Sequence, residues 1–391
     1  MKKVFVKQKV EKNIRAGHPW CFSGAIESAE ESIVNGELCE VFSKDKFLGI
    51  GYYNRLSDIS LRIITRVKQS IDTGFFIKRF EMLKQSKEEF LRNTNAYRLV
   101  FGESDNLPGL VVDKYGDVLV VQVHTLGIEL LKNIIVNALI NVMQPSMIYE
   151  RSDLGVRKKE GMPVVEKHLL YGKQVDEVEI EEHGFRFLVN VVEGQKTGFF
   201  LDQRENRLDL VPFCKGKKVL NCFSYTGGFS VYAASVCESV CSVDISKPAM
   251  EVTRRNFVLN GYDIDQHKFE ARDVFDYLKE LKRGAYDVII LDPPSFAKNR
   301  LQVSNAIKAY ITINSKALEK LEPGGILVSS SCTAHVDELT FIKILHQSSV
   351  NTGCQLKVIK SNFQPFDHSY NLAFPEGRYL KFFIMQKLPV V

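Results

Sequence analysis

Lys218-Val219-Leu220-Asn221-Cys222-Phe223-Ser224-Tyr225-Thr226-Gly227-Gly228 is the stretch on which the reading of this 391-residue chain turns. Val219, Leu220, Cys222 and Phe223 form an apolar run that stops at a small, Gly-ended turn. Phe229, Val231, Tyr232, Ala233 and Ala234 then follow helical spacing. Strand, Gly-rich turn and helix open a doubly wound α/β sheet, whose ligands sit beyond the carboxyl ends of the strands. Asp244 closes the next apolar stretch, Val240-Cys241-Ser242-Val243. A carboxylate there is placed to accept hydrogen bonds from both ribose hydroxyls of an adenosine-containing ligand.

Three such ligands suit this kind of sheet, and the turn discriminates among them. ATP at a P-loop needs Gly-x-x-x-x-Gly-Lys-Ser/Thr, which the sequence lacks. A dinucleotide needs Gly-x-Gly-x-x-Gly so that backbone can close on a pyrophosphate. Here Phe223, Ser224, Tyr225 and Thr226 precede Gly227 and Gly228, and bulky side chains stand where glycines should be. A metabolic dehydrogenase is therefore remote. S-adenosylmethionine carries no phosphate, and the two glycines let backbone approach it closely. Asp244 then faces the ribose, and Asp273, in Ala271-Arg272-Asp273-Val274-Phe275, the adenine amine. Either acid alone could simply cap the following helix. Together with the spacing they select adenosylmethionine.

The βα alternation continues from Lys217 onward. Strands are expected at 219–223, 240–244, 268–271, 288–291 and 326–330, helices at 248–260, 274–281 and 305–321, and two last strands at 355–359 and 379–385. The fourth strand ends Leu291-Asp292-Pro293-Pro294-Ser295-Phe296. Two prolines cannot donate to a ladder and stiffen the loop. Asp292 then sits at the mouth of the sheet, able to accept N–H groups of a planar target, with Phe296 to stack on a base turned out of its stack. The fifth strand ends Ser329-Ser330-Ser331-Cys332-Thr333, which brings Cys332 to the same edge. A thiolate there suits methylation of a pyrimidine carbon, since carbon 5 of cytosine becomes nucleophilic once sulfur adds to carbon 6. Asp292 would favour the charge distribution of that adduct. Inert filling is the usual role of a strand-end cysteine, but the polar neighbours of Cys332 argue otherwise. A polar or basic setting that assists its ionisation is expected.

Upstream, residues 1–70 read as a small β-rich module, with short strands at 38–42, 47–53 and 61–67 between polar, basic turns. Arg15, Arg55, Arg62 and Arg66 are candidates for phosphate contacts and Trp20 for a stacking face. Solvated loops and a single core Trp explain the same residues. Residues 72–172 read as helix, hairpin, helix and strand, an α+β module in which Asp72 or Thr73 caps the first helix. The hairpin 178–192 follows, its edges exposed and open to a homodimer. A polar run, Lys196 to Arg207, leads into the cofactor strand as either a solvated helix or a lining of the site.

Hydrophobic content of 45% and charged content of 25% are those of a soluble globular protein. The net charge of +5 is compatible with a polyanionic partner. Lys2, Lys3, Lys7, Lys9, Lys12 and Arg15 cluster at the start. No signal-peptide core and no membrane-spanning run is expected. The eight cysteines lie singly apart from Cys237 and Cys241, without zinc-site spacing, and point to a reducing, cytoplasmic setting.

Residues 15–26, 182–207, 221–228, 292–296 and 331–333, with the tail Asp367-His368 and Phe374-Pro375-Glu376-Gly377-Arg378-Tyr379-Leu380-Lys381, resemble the RlmI-type large-subunit ribosomal RNA cytosine-5 methyltransferases. The resemblance covers essentially the whole chain. It implies an N-terminal PUA domain that binds RNA (1–70), an RRM-like central domain (72–172) and a hairpin followed by a class I, Rossmann-like methyltransferase domain (173–391). It further implies that Cys332 is the nucleophile, that Asp292 and Pro293 border the cofactor and Pro294 and Phe296 the target base, and that Phe200, Asp202, Gln203 and Arg204 approach the cofactor. Related members methylate guanine, so an exocyclic guanine nitrogen in ribosomal RNA stays open beside carbon 5 of cytosine in the 23S molecule. A non-catalytic RNA-binding protein is the alternative of another class. Thr333 stands where the family often has serine, a change not expected to disable it.

Overall fold

The computed structural model describes residues 1–297 and 299–389, without the Arg300 side chain. The chain divides into two compact units. The first comprises residues 1–180, 189–201 and 366–377, and the second residues 181–188, 202–365 and 378–391. The stretch expected to run as one domain from 173 to 391 is thus interrupted twice, because 189–201 and 366–377 pack with the first unit.

In the first unit, Val4 and Val6, on either side of Phe5, turn into a core with Ile14, Val41, Leu48, Leu61 and Ile63. They belong to a six-stranded sheet in the spatial order Trp20–Cys21, Leu61–Thr65, Lys46–Tyr53, Glu37–Ser43, Lys2–Val6, Ile26–Ala29. A second sheet has five strands in sequential order: Ala96–Phe101, Leu110–Tyr115, Val118–Val123, Met147–Glu150 and His168–Gly172. Ala96–Phe101, which was not among the expected elements, is a full strand. The RNA-recognition arrangement has four strands, so the sheet here is larger than the one the resemblance implied. Asp72 caps Thr73–Phe90 as expected, accepting from Phe75 N–H. Helix Leu126–Met143 is long and apolar enough to cross a membrane by length and composition, which corrects the expectation above. Its Ile128, Ile135, Ala138 and Leu139 are buried in the core of this unit.

The second unit is built on a seven-stranded sheet. We label its strands β1 (Lys218–Cys222), β2 (Ser239–Asp244), β3 (Lys268–Ala271), β4 (Val288–Leu291), β5 (Ile326–Ser331), β6 (Gln355–Asn362) and β7 (Lys381–Leu388). The helices are α1 (Arg204–Cys214), α2 (Gly228–Ala234), α3 (Lys247–Leu259), α4 (Val274–Glu280), α5 (Val303–Lys320) and α6 (Glu338–Asn351). The spatial order is β3-β2-β1-β4-β5-β7-β6. A dinucleotide-binding sheet runs 3-2-1-4-5-6, and here β7, antiparallel to both neighbours, is inserted between the fifth and sixth strands. β4 is apolar at every position and buried throughout, as a central parallel strand must be. Pro212 lies inside α1.

The chain crosses between the units in the hairpin Glu177–Glu182 and Phe185–Asn190. His183 and Gly184 at its tip both have positive φ, as a two-residue turn between twisted strands requires. Within the second unit, Phe185 and Phe187 pack on Tyr232. That apolar face is covered from within the chain and gives the expected homodimer no support.

Candidate active site

β1 and β4 are neighbours in the sheet, with Val219 opposite Val288, and the strand order reverses between them. Ligands of such sheets lie beyond that reversal. The loops leaving β1, β2, β4 and β5 therefore define the candidate site.

The turn after β1 is strained and firmly held. Phe223 and Tyr225 adopt φ of 58° and 47°, a left-handed conformation that costs non-glycine residues about 1–3 kcal/mol each. Such strain persists only where the surroundings over-determine it, and here they do. Ser224 N–H donates to Val243 O, Tyr225 N–H to Asp244 Oδ2 at 2.9 Å, and the turn's own Gly227 N–H to Ser224 O. From α3, Thr253 Oγ1 donates to Tyr225 O and Asn256 Nδ2 to Thr226 O. Gly227 has φ of 80°, and a Cβ there would meet Thr253 Cγ2 at 2.5 Å, so only glycine fits. Gly228 starts α2.

Asp244, at the end of β2, accepts from Tyr225 N–H with one oxygen and from Ser246 N–H with the other. It is buried and braces the turn, and each carboxylate oxygen has a further lone pair for a ligand hydroxyl. Asp273 is exposed and caps α4, accepting from Phe275 and Asp276 N–H. The capping alternative thus describes part of what Asp273 does.

Adenosylmethionine can be tested against these residues. Ser224 Oγ and Thr226 Oγ1 are buried, 6% and 7% exposed as residues, and neither hydroxyl has a hydrogen-bond partner among the described residues. Buried polar groups are normally satisfied. Two unsatisfied hydroxyls on a strained turn fit a polar, phosphate-free ligand, and no side-chain cation lies on the turn to receive a pyrophosphate.

At the next strand end, Asp292 is half-buried and accepts at Oδ1 from Gln203 Nε2 at 2.9 Å and from Ser330 Oγ. Asn206 Nδ2 in turn fixes Gln203 Oε1 at 2.6 Å. Gln203 and Asp292 are therefore brought together. Asp202 instead receives Tyr379 OH at 2.7 Å. Arg204 is buried with Nε 3.6 Å from Glu182, beside the two-pronged pair of Arg207 with the same carboxylate. These arginines hold the hairpin tip through Glu182. Phe200 lies in the first unit, with Lys196 Nζ 4.4 Å from its ring centre.

Pro293 is buried and Pro294 exposed. Phe296 packs edge-on against Tyr310 with ring centres 4.7 Å apart, so this ring already has an aromatic partner. Tyr310 OH also contacts Thr333 Oγ1 at 2.8 Å and accepts from Ser331 Oγ at 2.9 Å, and burial pushes its phenol up to about 12. Thr333 thereby holds the loop that carries Cys332, using the hydroxyl a serine would use.

Cys332 is half-buried at the end of β5, and Leu291 of β4 lies opposite Ser329 of β5. No described cysteine is in a disulfide. Burial pushes the thiols of Cys21, Cys39 and Cys214 up to about 12 and that of Cys222 well up, so those four are inert. Residues the sequence reading did not single out are Ser330, Tyr310, Tyr379, Thr253 and Asn256. Only Ser330 carried a signal, as a polar residue at the end of an apolar strand.

The candidate RNA contacts of the first unit are more occupied than expected. Arg62 is buried in a two-pronged pair with Glu160, and Arg66 donates to the carbonyls of Ile14 and His18. Both are structural. Arg55 donates to the carbonyls of Ile33 and Glu30 while its guanidinium lies over Tyr53. Trp20 donates through Nε1 to Glu103 and packs on Phe374 at 4.6 Å. Arg15 is exposed and bonds Glu11 at 3.0 Å.

A doubly wound sheet with an inserted antiparallel strand, a strained phosphate-free turn and an acid at the next strand end define an adenosylmethionine-dependent methyltransferase. A model of the S-adenosylmethionine-dependent methyltransferase family matches residues 149–342, and one of the PUA-like domain matches residues 4–66. Ribosomal RNA large subunit methyltransferase I of Aeromonas salmonicida is 38% identical over 97% of this chain and 97% of its own length. Its namesake in Vibrio parahaemolyticus is 39% identical over 98% and 99%. A structure described as an adenosylmethionine-dependent methyltransferase from Streptococcus mutans superposes with a TM-score of 0.83 at 28% identity, covering 99% of this chain and 100% of that one. A methyltransferase complexed with S-adenosylhomocysteine, 29% identical, gives 0.84 with the same coverage. The chain belongs to the ribosomal RNA large subunit methyltransferase I family, and its cofactor is adenosylmethionine.

Proposed function

We propose that the protein methylates carbon 5 of a cytosine in 23S ribosomal RNA. The observation that carries this reading is the placement of Asp292 and Cys332 at the ends of the paired strands β4 and β5, with Ser330 of β5 donating to Asp292. The names of the Aeromonas and Vibrio relatives support ribosomal RNA as substrate, and the PUA-like match supports an RNA-binding first domain.

When bound, adenosylmethionine supplies the methyl group that carbon 5 takes up. The turn from Phe223 to Gly228, Asp244 and Asp273 would hold it, with Gln203 and Pro293 at the neighbouring loop. Asp292 accepts the N–H of the cytosine exocyclic amine and sets the ring's orientation. The sulfur of Cys332 adds to carbon 6, and the displaced electron pair makes carbon 5 nucleophilic. After methylation, loss of the carbon 5 proton to a base restores the ring double bond and expels the thiolate.

A guanine nitrogen would use Asp292 and leave Cys332 without a task, whereas four other cysteines of the chain are buried and inert. The test is Cys332→Ala assayed on 23S ribosomal RNA. Loss of turnover by about 10³-fold or more, with adenosylmethionine binding retained, is expected of a covalent nucleophile. Full turnover by that variant would point to guanine instead.

A further inference from the structure

Leu380, Lys381, Phe382, Phe383 and Ile384 are all buried, and Lys381, 4% exposed, is the one cation among them. β7 runs antiparallel to β5 with Lys381 opposite Ser331, the residue before Cys332. Lys381 Nζ donates to Thr333 O at 2.8 Å and to Tyr379 O at 2.7 Å. Both acceptors are neutral carbonyls, and one belongs to the residue following Cys332.

The other charged groups nearby have partners of their own. Asp337, at the start of α6, accepts from Thr340 N–H, and Glu338 pairs with Arg378. From α5, Tyr310 is a neutral phenol below about pH 12, and Asp292 is engaged by Gln203 and Ser330. Burial pulls the Lys381 amine down to about 8, and Cys332 is the largest influence opposing that fall, ahead of Asp337. A neutral side chain could tie the same carbonyls without the cost of burying a charge. Perturbed groups of this kind concentrate where a reaction needs them.

We propose that Lys381 is the positioning residue that ionises Cys332, an inference that rests on the thiol being the nucleophile. The S–H bond breaks, its proton leaves to water, and the electron pair stays on sulfur. The ammonium, fixed by the carbonyls of Thr333 and Tyr379, holds the thiolate. Thiolate and ammonium together are neutral overall, which suits a buried site.

The experiment is the pH dependence of Cys332 alkylation by iodoacetamide, read by peptide mass spectrometry in the full-length protein, Lys381→Met and Lys381→Arg. Lys381→Met is expected to raise the midpoint by about one pH unit, which is tenfold less thiolate at neutral pH. Lys381→Arg keeps the charge and is expected to keep a low midpoint. An unmoved midpoint in Lys381→Met overturns the assignment. The reciprocal measurement does not depend on that variant folding. Acetic anhydride labelling of Lys381 against pH in Cys332→Ala is expected to show an amine that titrates lower than in the wild type, and an unchanged titration again overturns the proposal. The two readings fail separately. Cys332→Ala with full turnover removes the nucleophile, while an unmoved thiol midpoint with the RNA adduct still forming removes only Lys381.

Discussion

Gln203 Nε2 and Asp292 Oδ1 lie 2.9 Å apart although 89 residues separate them in sequence. This bond ties the entry of α1 to the loop after β4, and Ser330 Oγ reaches the same oxygen from β5. The carboxylate is thus aimed from two sides before any substrate arrives. Such orientation contributes to rate because geometry is fixed before the reaction begins.

Gln203→Leu should therefore reduce kcat. A hydrogen bond to a charged acceptor contributes about 1.5–3 kcal/mol, so turnover at saturating cofactor should fall roughly 10- to 100-fold. Steady-state kinetics on ribosomal RNA checks this, and a rate within twofold of wild type would show that Asp292 is oriented without Gln203.

Asp244→Asn removes the charge that holds Tyr225 N–H and Ser246 N–H at the end of β2. Adenosylmethionine affinity should weaken by about tenfold or more, since charge-assisted bonds are roughly twice as strong as neutral ones. Isothermal calorimetry measures it directly. An unchanged Kd would take Asp244 out of the cofactor site.

Gly227→Ala places a methyl group 2.5 Å from Thr253 Cγ2 on backbone with φ of 80°. The strain should cost about 1–3 kcal/mol of stability and distort the turn that carries Ser224 and Thr226. Thermal denaturation and cofactor titration should both register the change. A variant with wild-type Tm and Kd would mean that the turn relaxes freely.

Glu182→Gln leaves Arg207 and Arg204 buried without their carboxylate. Breaking a buried pair from one side costs about 3–5 kcal/mol. Urea denaturation should show a lower midpoint with little change in slope. A loss under about 1 kcal/mol would mean that water enters to solvate the arginines.

Local pattern made the second unit legible. The apolar runs at Val219, Val240, Val288 and Ile326, each closed by a polar turn, marked four strands and the loops that carry Asp244, Asp292 and Cys332. Side-chain direction was not legible. Arg62 reads as a surface cation until Glu160, 98 residues later, is found opposite it. The pairing of Arg204 is likewise hidden, because nothing near it in sequence names Glu182 as its partner. Residues 189–201 and 366–377 carry no composition shift that would assign them to the first unit, since long-range packing alone puts them there. Helix Leu126–Met143 shows the same limit, because apolar composition alone does not separate a core helix from a membrane span.

The most direct test of covalent cytosine chemistry is trapping on 23S ribosomal RNA containing 5-fluorocytidine, with adenosylmethionine present. Fluorine at carbon 5 cannot leave as a proton does, so the thiolate cannot be expelled and the adduct should persist. Mass spectrometry of the digested complex should show the pyrimidine attached to Cys332, and Cys332→Ala should give no adduct. Methylated RNA with no covalent complex, and a Cys332→Ala enzyme of undiminished rate, would contradict the account.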